Sequence, residues 1–318
     1  MRLKLVKSET NFDFLGLRKL AAIVSAALVI GSIAIFAIMG LNFGIDFRGG
    51  TTIEARTQGP ADLAVIRSVT SGLGLGDVSV QEFGRPDDVL IQVEEQPGDG
   101  DAQMEVVTIV RVALEEALPG IEIRRVEVVG PKVSGELIQA GVMAILLAVG
   151  AVLIYIWLRF EWQFSLGAVA ALVHDVIITI GVFSLVQLEF NLSIIAALLT
   201  IVGYSLNDTV VVFDRVRENL RRFKQKPLIE VLNLSINETL SRTVMTSVTT
   251  LIALLSLYFL GGEVIRGFTF GMILGVIVGT YSSIFVASVI LLWLGVKRDW
   301  SKPDPEAAGV QFGSPDAP

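Results

Sequence analysis

Asp208 lies inside residues 192–213, LSIIAALLTIVGYSLNDTVVVF, an apolar run long enough to cross a bilayer. A carboxylate near the centre of a spanning helix costs about 2.5 to 3.5 kcal/mol on insertion scales, so such a residue usually lines a polar path. The chemistry on offer is reversible protonation: the neutral acid is tolerated in the membrane and the charged form must be solvated locally. The plainer reading is a permanently neutral acid held by hydrogen bonds from a packed neighbour. Tyr204 and Ser205 precede Asp208 by four and three residues, which predicts that their hydroxyls share its helix face and solvate either protonation state. Gly203 and Asn207 extend this polar patch.

Two further groups could join that chemistry. His174 and Asp175 sit near the middle of residues 164–186. Adjacent helical residues point about 100° apart, which predicts different neighbours for the two. His174 is the single histidine of the chain and offers either a proton relay or a bond between helices. Arg242, Thr246 and Thr249 follow at spacings of four and three, a polar stripe headed by a fixed cation. Arg242 has two uses: to snorkel to the cytoplasmic interface, or to face a charged Asp208 so that movement between helices changes how tightly a proton is held.

No enzyme chemistry competes. The chain lacks H-E-x-x-H, a second histidine for a zinc site, G-x-S-x-G and a P-loop, and it has no cysteine. No metal, cofactor or catalytic residue is therefore expected, and the chain is read as no enzyme. The glycines of residues 44–50 read as a tight turn into a strand, with no helix after them to cradle a phosphate.

The elements that hold these residues are legible from composition. Hydrophobic residues make up 53% of 318 and charged residues 18%, a membrane-protein balance. Windows of spanning length fall at residues 17–39, 137–158, 164–186, 192–213, 243–260 and 268–294. Lys and Arg gather before the first, between the second and third, after the fourth and after the sixth. The short opposite loops carry Glu189 and Glu263. Both termini are thus expected in the cytoplasm and residues 41–136 outside. That outer segment holds 17 acids against 8 bases, and no basic face with interleaved aromatics supports nucleic-acid binding.

Residues 40–136 are too long for a connector and show a β-α-β-β-α-β pattern, with the second helix presenting Val106, Val110, Ala113 and Ala117. The expected fold is a bundle of six transmembrane helices with a small extracytoplasmic ferredoxin-like α+β domain. The expected organisation is a cytoplasmic N-terminus at 1–16, a first span at 17–39, the outer domain at 40–136 and a five-helix region at 137–295. That region includes a basic cytoplasmic loop at 214–242, expected to be helical up to Lys226, broken by Pro227 and helical again, and to rest on the lipid interface or dock onto a partner; residues 296–318 form a disordered tail. Gly267, Gly271, Gly275 and Gly279 recur every four residues in the last span, a stripe for close helix packing.

Several strings carry a family resemblance over nearly the whole chain. GIDFRGGT at 44–51, GPKVSGEL at 130–137, VHDV at 173–176 and above all GYSLNDTVVVFDRVREN at 203–219 resemble the SecF family of the bacterial protein-export machinery. That family is itself similar to one half of a resistance-nodulation-division transporter; the glycine strings also fit the sister family, SecD. The resemblance implies an inner-membrane subunit that pairs with SecD, associates with the SecYEG channel and uses the proton-motive force to draw unfolded exported polypeptides outward. It also implies proton transport by Asp208, in GYSLND, and by Arg242, in LSRT. Two alternatives stand beside it: a proton-coupled solute-efflux half-transporter, and a scaffold of the export channel that transduces nothing.

Overall fold

In this computed structural model, residues 10–98 and 100–296 are described. The tail expected to be disordered, apart from Val296, and the first nine residues lie outside that range. Six helices among the described residues are long and apolar enough to cross a membrane, as expected where each backbone group must be satisfied within its own segment. The first is α1 (Arg18–Met39), followed by a one-turn helix α2 (Ile45–Arg48). Next come β1 (Gly50–Arg56), α3 (Leu63–Ser71), β2 (Val78–Phe83), β3 (Arg85–Val93), α4 (Gly100–Ala117) and β4 (Glu122–Val129). The remaining spans are α5 (Pro131–Arg159), α6 (Trp162–Val186), α7 (Leu192–Arg222) and α8 (Leu228–Leu260). The last is built from α9 (Glu263–Ser282), a π-helical turn at Ser283–Ala287 and α10 (Ser288–Leu294).

The four strands form one sheet in the order β2-β3-β1-β4, every neighbouring pair antiparallel. This is the split β-α-β arrangement of ferredoxin-like domains. Asp62 caps α3 by accepting from the amides of Ala64 and Val65, which is why that helix starts at Leu63 and not at Pro60. On α4 the buried face is Val106, Val107, Val110 and Leu114; Ala117 is exposed, because the stripe drifts round the helix. Val106, Val110 and Leu114 join one core with Ile53 and Ile91 of the sheet. Arg56 grips Asp88 across β1 and β3 through two bonds of 2.6 and 2.8 Å, holding the Asp88 carboxyl below its usual range.

One expectation is corrected. A helix does form within residues 44–51: α2 turns once before Gly49 and Gly50, whose φ values of 74° and 117° lead the chain into β1. The basic stretch 214–242 is helical on both sides of Pro227. α7 runs unbroken to Arg222 and α8 starts at Leu228 after Pro227, so the polar ends form an antiparallel pair. Arg215 to Glu238 at 2.7 Å and Asn219 to Ser235 at 3.0 Å join them. Hydropathy ends at Phe213, and the helix continues past it to Arg222 because these side chains find partners.

The N-terminal segment is tied to the same end of the bundle. Phe12 donates its amide to Asn237 Oδ1 at 2.8 Å and Phe14 to Asn233 Oδ1 at 2.9 Å, while both asparagines donate back to the Phe12 carbonyl. Leu15, fully buried, anchors the strap. At the opposite end the α+β domain meets both short loops. Gln92 reaches Glu189 between α6 and α7, and Gly84 sits against Glu263 at the start of α9.

Candidate intramembrane proton site

α7 is packed on three sides, and its polar residues divide among those neighbours. The glycine stripe of α9 lies along one side. A Cβ at Gly271 would touch Ala197 at 3.4 Å, one at Gly275 would stand 2.2 Å from Ile201, and one at Gly279 would stand 3.1 Å from the Ser205 Cβ. Glycine there lets the two backbones approach closely, with a smooth surface against the helix that bears Asp208.

Between α6, α7 and α9 lies a polar cluster in which both oxygens of Asp175 are partnered, while His174 Nε2 has no partner. Asp175 is completely buried. Its Oδ2 accepts from Ser205 at 2.6 Å and from Ser282 at 2.7 Å, and its Oδ1 is 2.9 Å from His174 Nδ1. The imidazole stacks on Tyr281, whose hydroxyl lies 2.9 Å from Ser25 Oγ and donates to the Ala21 carbonyl of α1. Four helices thus meet through one carboxylate and one aromatic pair. The π-helical turn follows directly after Ser282, an irregularity frequent at functional sites.

Asp208 lies on the other flank, towards α8. It is 3% exposed, and its Oδ2 makes no hydrogen bond. The groups acting on its carboxylate are the Arg242 guanidinium and the Thr246 hydroxyl. Arg242 is itself exposed, and among the described residues no ion pair within 4 Å joins it to Asp208. Its charge therefore reaches the site from the rim. Asn207, Gly203 and Thr200 of α7 are exposed, as is Thr249 of α8, so a polar face at mid-bundle depth is uncovered beside the acid.

This geometry rearranges the expected support. Ser205 serves Asp175 and not Asp208, and the Tyr204 hydroxyl donates to Thr250 at 3.4 Å. His174 and Asp175, expected to serve different neighbours, bond each other, since the imidazole can fold back along the helix to the next residue. Ser282 and Tyr281 were not foreseen. Ser282 falls one residue beside the four-residue stripe, and only the facing helix reveals its role. Among the described residues no cluster of His, Asp or Glu could hold a metal ion.

Residues 109–297 match the family described as protein export membrane protein SecD/SecF, C-terminal, and residues 34–61 match the SecD/SecF GG motif. The chain is 49% identical over 322 residues to protein translocase subunit SecF of Cereibacter sphaeroides, covering 99% of both chains. It is 52% identical over 285 residues to protein translocase subunit SecF of Magnetococcus marinus, covering 89% of this chain and 92% of that one. The crystal structure of SecDF, a translocon-associated membrane protein from Thermus thermophilus, superposes with a TM-score of 0.81 at 35% identity. That match covers 92% of this chain and 40% of SecDF. A super-membrane-facing form of SecDF gives a TM-score of 0.67 at 36% identity with the same coverage.

Proposed function

The chain belongs to the SecD/SecF family of bacterial multi-pass protein-export membrane proteins, and on that premise we propose that it couples proton flow to export, with Asp208 as the proton carrier. The observation that carries the reading is a buried carboxylate with one unpartnered oxygen, faced by Arg242 and Thr246. In its neutral form Asp208 fits the apolar bundle. Ionised, it requires the Arg242 charge, and approach of α7 to α8 supplies it. The glycine stripe gives α7 a smooth surface for that movement.

SecD is the partner in this reading. The uncovered polar face at Thr200, Gly203, Asn207 and Thr249 suits a second subunit at bilayer depth. The match to 40% of SecDF supports the same idea, because there the corresponding region is part of a longer chain. The pair would act beside the SecYEG channel, the α+β domain outside the membrane and both termini in the cytoplasm. That orientation rests on the basic residues at the end shared by the N-terminal strap and the α7–α8 turn. Unfolded exported polypeptide would meet the domain on the far side.

Export measured at fixed ATP, with and without a proton gradient, tests this in vesicles carrying the natural protein or Asp208→Asn. The variant keeps size and hydrogen bonding and removes titration, so it should insert and bind SecD but lose the gradient-dependent increment. Retention of that increment would end the carrier role and pass it to Asp175 with His174. An equal increment in vesicles lacking the protein would make it a scaffold.

A further inference from the structure

Glu189 lies in the α6–α7 loop, where the sequence suggested only a marker of the outer side, yet this loop is held at every residue. Gln187 adopts a left-handed φ of 53°, and its carbonyl accepts from the Asn42 side chain at 3.0 Å. Phe190 pairs with Phe43 as in a parallel strand: the Phe190 amide donates to the Asn42 carbonyl at 2.7 Å and the Gly44 amide to the Phe190 carbonyl at 2.9 Å. At Gly44 the glycine leaves room for the Glu189 carboxyl, since a Cβ there would stand 2.4 Å from Glu189 Oε1 and push that side chain aside. Asp46 of α2 accepts from the Leu192 amide at 2.8 Å, so the segment leading into the α+β domain caps the first turn of α7. From the domain itself, Gln92 of β3 donates to Glu189 Oε2 at 3.0 Å.

We propose that Glu189 is a positioning residue which, when protonated, seats the α+β domain on the start of α7 and, when ionised, loosens it, so that acidity on the domain side sets the position of the helix carrying Asp208.

The charged groups acting on Glu189 are Asp46 of α2 and Glu127 of β4, both acids; Gln92 of β3 is a neutral donor. Burial is the largest influence, the two acids add to it, and together they raise the Glu189 carboxyl above its ordinary range despite the Gln92 bond. The seated form therefore binds a proton more tightly than a separated one, and seating strengthens as pH falls and weakens as pH rises. Its ionisation places a second negative charge beside Asp46, the residue that caps α7. The consequence for export rests on the carrier reading of Asp208; the seating itself does not.

The full chain in lipid nanodiscs, with no SecYEG and no gradient, isolates the seating. The sequence has no cysteine, so spin labels at cysteines replacing the exposed Gln81 and Leu260 are unique reporters of the distance between domain and bundle. Double electron–electron resonance across a pH series should resolve two distances whose population ratio changes by up to about tenfold per pH unit, as for one proton. Glu189→Gln, which retains an acceptor for Gln92, should hold the seated distance at every pH, and Gln92→Leu should depopulate it. A single pH-independent distance in the natural chain, or a Glu189→Gln chain that titrates like it, overturns the proposal. Either result leaves the Asp208 reading standing, because neither measurement involves export.

Discussion

Asp175 and Asp208 are both carboxylates deep in the bundle, with 0% and 3% exposure, and they differ in how many donors reach them. Asp175 faces two serine hydroxyls and an imidazole nitrogen; Asp208 has an oxygen with no partner at all. Burial therefore does not distinguish the two carboxylates, whereas the number of donors on their oxygens does; on the proposed reading that difference separates a carrier from a fastener. A carboxylate already holding three neighbours must break them to change state, and each neighbour is a different part of the fold. An under-solvated one changes state by recruiting a group from its rim. The Asp175 cluster joins α6, α7 and α9, and the proposed function places the rearrangement on the Asp208 flank.

The sharpest way to break that contrast is to exchange the roles. Asp208→Asn should remove nearly all gradient-dependent export, since one charge crossing 100 mV provides about 2.3 kcal/mol and hence a bias of some tens-fold. Its unfolding in detergent should be unchanged. Asp175→Ala should do the reverse. It strands Ser205, Ser282 and His174 in the bundle, so a loss of about 1 to 3 kcal/mol in unfolding measurements is expected, with export per folded molecule preserved. If Asp175→Ala folds normally and abolishes coupling, the contrast is inverted. Arg242→Ala should lower the gradient-dependent increment less completely than Asp208→Asn, and Arg242→Lys should recover part of it, because the exposed guanidinium acts from the rim as a charge.

The smallest effect lies outside the bundle and serves as a control. Asp88 is held below its usual range by Arg56, so the stability it contributes is present at neutral pH and lost as pH falls through its folded value. Asp88→Asn should flatten that acid limb in a thermal melt of the domain and leave coupling untouched.

What was legible follows the same division. The spans, the split β-α-β order and the glycine stripe are periodic features, and periodicity survives in a single sequence. Asp208 was legible because a charge in an apolar run needs a reason. Partner choice was not: spacing gives an angle round α7 but not which helix stands there, so Ser205 was assigned to the acid on its own helix and not to Asp175. Glu189 and Asp46 were missed for a related reason. Glu189 sits in a short loop and Asp46 in the one-turn α2, and the partners of each come from segments distant in sequence, Gln92 for Glu189 and the Leu192 amide for Asp46.

The strap from Phe12 to Leu15 turns α8 into a lever. Pinned at Asn233 and Asn237, and tied to α7 by Arg215 and Asn219, α8 has its densest anchorage near one end; beyond Arg242 it bonds Tyr204 through Thr250 and Thr280 through Ser247 before ending at Leu260. At 1.5 Å per residue, a tilt of about 5° moves Arg242 by roughly 1 Å and Leu260 by roughly 3 Å. A displacement no larger than a hydrogen-bond adjustment beside Asp208 is thus magnified about threefold at the end of α8, next to the start of α9, where Gly84 of the α+β domain rests against Glu263.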